Sequence, residues 1–145
     1  MAVLAAGLCN AGLVRAADEV AAEGAAKPMA LRGIMDQLGK DMQAVAGAIA
    51  REDWPAVAAL APRIADHEEP PATEKVRILA WLGTDALKFR GHDKQVEAAA
   101  TALGQAASAG DGAAAIAAFA DVQRSCLACH QAYRPGFVKR FYGDD

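Results

Sequence analysis

Apolar positions in this chain recur three and four apart, and nowhere do they alternate with polar ones over a β-branched run. Leu31, Ile34, Met35, Leu38, Met42, Val45 and Ile49 step in this way. That spacing is one buried face of a helix, and it predicts a first helix from about Pro28 to about Arg51, with the proline tolerated at its start. Asp53 is the expected N-cap of a second helix that carries Val57, Leu60 and Ile64 to about His67. Pro55 falls in its first turn, and Pro62 is expected to bend it. "HEEPPATEK" then interrupts the pattern, because Pro70 and Pro71 exclude regular helix. The segment "VRILAWLGTDALKF" predicts a shorter helix from Thr73 to about Phe89, and "FRGHDK" a polar turn. A third main helix is expected from Asp93 to Ala107, with Val96, Ala99, Ala100 and Leu103 inside. After the turn "SAGDG", a last helix starts near Asp111 and ends at Pro135-Gly136. It carries Ile116, Phe119, Val122, Cys126, Cys129, His130 and Tyr133 on adjoining positions. The reading is all-α: an antiparallel helical bundle.

The front end follows different rules. Residues 2–14 are small and apolar, and Val14-Arg15-Ala16 before Ala17-Asp18 has the form of a cleavage site. Residues 1–16 are therefore read as a secretory signal peptide, although no Lys or Arg precedes the apolar run. That run is too short to span a bilayer, so stable membrane insertion is not expected. Residues 17–27 are read as an N-terminal extension and 28–140 as one bundle domain. The formal charge of −3 in 145 residues has no basic patch of the kind nucleic acid requires. Cleavage would remove one base, Arg15, and no acid.

Cysteine use sharpens the picture. The chain has three cysteines. Cys9 belongs to the leader, and Cys126 and Cys129 stand in "CLACH" with His130 directly behind. A thioredoxin-type CxxC would open a helix after a strand, and no such alternation precedes this one. A structural zinc site needs four ligands. Covalent attachment of c-type haem uses all three residues: two thiols for the vinyl groups and an imidazole for the iron. The expected cofactor is one haem c, held by Cys126 and Cys129 with His130 as the proximal iron ligand. Such attachment takes place outside the bacterial cytoplasm in most systems, which agrees with the leader and a periplasmic location.

"RSCLACHQAYR" at the end of the chain and "LRGIMDQLGKDMQAVAGAI" at 31–49 together resemble the cytochrome c′ family, including its low-spin cytochrome c-556 branch. The resemblance covers residues 28–140. It implies an up-down-up-down four-helix bundle enclosing one covalently attached haem, with the first helix covering the second haem face near Met35. Met35 is thus the expected distal iron ligand, giving a six-coordinate low-spin site suited to electron transfer. If Met35 only packs against the ring, the iron is five-coordinate and binds nitric oxide or other small gases, as high-spin relatives do. Met42 and Met29 are read as core and helix-start residues, His67 as a surface cap of the second helix, and His92 as solvated. Arg134, one turn past His130, and Arg32 are candidate partners of the haem propionates. High-spin members place a basic residue four positions before the covering residue; here Arg32 is three before Met35. Lys139 and Arg140 join Arg134 in a basic cluster able to steer an acidic redox partner. No catalytic constellation is present, so no enzyme activity is expected. The expected partners are redox proteins; dimerisation is common among such bundles, but no stripe here marks an interface.

Overall fold

The computed structural model describes residues 28–143; the expected leader and extension lie outside them. Five α-helices follow in order: α1 (Ala30–Ala50), α2 (Trp54–Ala65), α3 (Ala72–Leu82), α4 (Ala86–Ser108) and α5 (Gly112–Tyr142). A single 3₁₀ turn, Gly83–Asp85, joins α3 to α4. The four longer helices α1, α2, α4 and α5 are the up-down-up-down bundle, with α3 an added arm below α2.

The expected cap at Asp53 is present, and Asp111 caps α5 in the same way. Asp53 accepts a hydrogen bond from the Ala56 amide at 3.1 Å, and Asp111 one from the Ala114 amide at 2.9 Å. Each satisfies one of the amides a helix start leaves unpaired. The start of α1 is held from a distance. Both carboxylate oxygens of Glu74, on α3, accept from the Ala30 and Leu31 amides at 2.8 Å, and the Tyr142 hydroxyl accepts from the Met29 amide at 3.1 Å. A carboxylate there also suits the positive end of the helix dipole.

Three expectations fail, all at breakers. The helix expected from Thr73 to about Phe89 ends at Leu82, because Gly83 takes a φ of 53° and a 3₁₀ turn leads into α4. The turn expected at "FRGHDK" is helical, inside α4. Gly91 costs about 1 kcal/mol in a helix interior, and the helix runs through it because Phe89, His92, Val96, Ala100 and Leu103 form one unbroken inner stripe. The end expected at Pro135-Gly136 is also absent, and α5 runs on to Tyr142. Proline inside a helix costs about 3 kcal/mol. Beyond it, Phe137, Phe141 and Tyr142 pack against Met29, Ile78 and Leu82. Fully burying one aromatic contributes about 1.5–3 kcal/mol; these three are partly buried, and together they offset the proline. Trp81 meets Phe137 and Phe141 edge-on, with centroids 5.8 and 5.9 Å apart, a favoured geometry for aromatic pairs. Trp81 lies close over Gly136, where a Cβ would sit 3.2 Å from its ring.

The core is in two parts. An upper cluster joins α1, α2, α4 and α5 through Val45, Val57, Ile64, Leu103 and Val122, all fully buried, with alanines between them. A lower cluster centres on Met29, Ile78 and Leu82.

Candidate haem site

The interval between the two clusters is where the candidate residues fall. On α1, Leu31 packs in the lower cluster and Leu38 in the upper, and Ile34 and Met35 lie between them in neither. On α5, Cys126 packs against the upper cluster and Tyr133 against the lower, leaving Cys129 and His130 between. On α4, Phe89 is below and Val96 above, with His92 between. Three helices thus bring their chemistry-bearing residues to one level.

The bundle is also less closely packed on one side. Close backbone packing runs from α1 to α2, α2 to α4 and α4 to α5, whereas α1 and α5 are not among the closely packed pairs. At the bottom they are tied through Met29 and Tyr142. The seam between them has the character a flat apolar ligand needs: Met35 is 37% exposed although it lies on the apolar stripe, and Cys126 and Cys129 are half-buried.

Both thiols sit well inside α5, away from a helix start. Burial pushes Cys126 up, and burial together with the charge of Asp93 and the neighbouring Cys126 pushes Cys129 up to about 11. A redox CxxC depends on a depressed thiol pKa, so this environment argues against that chemistry. Among the described residues no group of three or more His, Cys, Asp or Glu is placed to hold a metal ion. His130 is exposed, and desolvation of its ring with the positive charge of Arg134 keeps its pKa below the ordinary value. The neutral imidazole is the form that ligates iron.

Arg32 and Arg134 are both exposed. Met29 is buried in the lower cluster and Met42 packs against the upper one, as core residues do. His67 is not a simple surface cap. Its Nδ1 is 3.1 Å from the Ile64 carbonyl, and its Nε2 is 3.4 Å from the Asp93 carboxylate on α4.

His92 departs most from the sequence reading. It is half-buried, its ring lies edge-on to Tyr133 with centroids 5.8 Å apart, and its Nδ1 is buried with no hydrogen-bond partner. The signal was present in the Phe89–His92–Val96 spacing, but Gly91 obscured it. An orphaned polar atom, two half-buried thiols one turn apart and a partly exposed thioether, on helices of which two are not closely packed together, fit haem c. Away from this level, Asp41 is a buried carboxylate that joins α1 to α2 through Arg63 at 2.7 Å, with Gln37 donating at 3.2 Å.

No curated protein and no solved structure matched the chain. The family model described as cytochrome C′ matches residues 29–134, from the residue that opens α1 to the arginine one turn past His130. That span takes in the whole interval between the two clusters. Its family carries haem c bound covalently, and this chain, with "CLACH" at that level, belongs to the cytochrome c′ family.

Proposed function

We propose that this c-type cytochrome is a periplasmic carrier of single electrons between redox proteins, with His130 and Met35 as the two axial ligands of a low-spin iron. The observation that carries the reading is the isolation of Met35. Leu31 and Leu38, on the same stripe of α1, are packed in the lower and upper clusters, while Met35 belongs to neither and stays exposed. A core methionine would fill a gap in one of them. This one belongs to neither cluster and is 37% exposed.

When bound, haem c supplies a one-electron iron couple. The chain's own residues do the rest. The thiols of Cys126 and Cys129 would hold haem c through two thioether bonds. His130 offers its imidazole from α5. Glu74 and Tyr142 hold the start of α1, which sets the height of Met35 against α5. Met35 would offer its thioether to the iron, which would raise the potential. Arg32 and Arg134 are read as counter-charges to the propionates.

Replacement of Met35 by Leu tests this. The swap conserves volume, and such core changes cost under about 1.5 kcal/mol, so the fold survives while the ligand goes. The wild type is expected to be low-spin in both oxidation states and to bind carbon monoxide poorly. Met35→Leu is expected to turn high-spin, take up carbon monoxide readily and fall in reduction potential. A wild type already high-spin and quick to bind the gas would make this a gas-binding cytochrome c′. The location is checked by the mature N-terminus of the exported protein, expected at Ala17.

A further inference from the structure

His92 occupies a position that packing alone does not explain. The α4 stripe is otherwise apolar at its level, with Phe89 one turn before and Val96 one turn after. Burying a ring nitrogen without a partner costs about 1–3 kcal/mol, and a phenylalanine would fill the same space without that cost. The ring is held edge-on to Tyr133, which itself meets Phe89 edge-on at 5.3 Å. Tyr133 stands one turn past His130 on α5, so His92 is held on the α4 side of the proposed haem level with its Nδ1 lacking a hydrogen-bond partner.

Haem c is apolar over its faces and most of its rim. With the iron held on the α5 side by His130, the polar atoms left to meet a buried N–H are the two propionate carboxylates. We propose that His92 is a haem-positioning residue whose Nδ1–H donates a hydrogen bond to a propionate oxygen. A charge-assisted bond of this kind is shorter and stronger than a neutral one. It would fix the rotation of the macrocycle within the seam and offset negative charge near the iron. The proposal rests on haem c lying between the two clusters, which the covalent mass and the absorption spectrum of each sample report separately.

The test uses the haem-loaded protein and three substitutions. In His92→Asn the side-chain amide reaches the level of Nδ1; in His92→Gln it lies one carbon further out; in His92→Leu there is no donor. Resonance Raman reads the propionate bending band, which moves with hydrogen bonding, and a redox titration reads the potential. Wild type and His92→Asn are expected to share the band position, while His92→Gln and His92→Leu shift it. Their potentials should fall, because a less compensated carboxylate favours the ferric state. If His92→Leu yields no mature protein, the contrast between the Asn and Gln variants still decides. One band position and one potential across the series would overturn the proposal and leave water as the partner of Nδ1. Loss of the low-spin spectrum in every variant would overturn it too, since His92 would then be an iron ligand. A low-spin spectrum lost in Met35→Leu but kept in the His92 series separates the two assignments.

Discussion

Cys126, Cys129 and His130 are proposed as the haem-holding residues on their spacing alone, which is why the proposal could be made from the sequence without a fold. Two thiols one helical turn apart reach one edge of a ring, and the next residue lies a further 100° round the helix. Met35 was legible only as a place on a stripe; its isolation between two packed leucines depends on how the core divides. His92 was not legible, because a glycine before it looked like a turn. A helix tolerates one glycine when its neighbours are buried, and this cannot be judged from α4 by itself. At this scale the expected outcome for Cys126→Ser or Cys129→Ser is one surviving thioether, seen as a shifted α-band in the reduced pyridine haemochrome spectrum. With either thiol removed, acidified organic solvent should still leave the haem on the chain; free haem in the extract would contradict a second attachment point. His130→Ala is expected to lose its proximal ligation and much of its holo-protein stability, since the only imidazole on α5 is then gone.

At the scale of elements, α5 shows where local rules yield to packing. Proline and glycine at 135 and 136 signal a stop, and the family match ends one residue earlier, at 134. The helix nevertheless continues to Tyr142, through residues that form one wall of the lower cluster. Arg77 and Arg140 each stack on the Phe141 ring, 5.5 Å from its centroid, which pins α3 to the end of α5. Ending the chain after Arg134 removes Phe137, Phe141 and Tyr142 together. Each buried aromatic is worth about 3–5 kcal/mol when truncated in a full core, and these are only partly buried. The shortened protein should therefore lose several kcal/mol, on the order of half that value per ring, in denaturant melts. The start of α5 gives a second check. A Cβ on Gly112 would lie 2.5 Å from the Trp54 ring. Gly112→Ala should force Trp54 aside and cost about 1–3 kcal/mol, although alanine is the better helix former. A variant as stable as wild type would mean that Trp54 moves freely.

For the whole molecule, the proposed haem level lies between the two clusters, so the reading requires that they be kept at a fixed separation. One contact at that level is titratable: His67, just beyond α2, pairs with Asp93 on α4. The hydrogen bond to Asp93 is the largest cause raising the His67 pKa above its ordinary 6.5, against desolvation that lowers it. The same bond holds the Asp93 carboxyl below its ordinary 3.8. Each shift sets one edge of a pH window. A raised histidine pKa contributes stability that is complete below 6.5 and disappears as pH rises through the folded value. A lowered carboxyl pKa contributes stability that is complete above 3.8 and disappears as pH falls through its folded value. The pair is therefore fully effective between these two ordinary values. Other groups titrate as well, so the quantity to follow is the difference in melting temperature between wild type and Asp93→Asn. That difference should be widest near pH 5, narrow as the solution passes above the histidine's raised pKa, and be smallest at pH 8. Because Asp93 is half-exposed, added salt should reduce the gap at pH 5. A difference that stays constant from pH 5 to 8 would show that α2 and α4 are held at this level by apolar packing alone, and that the histidine's charge plays no part in setting the height of the haem interval.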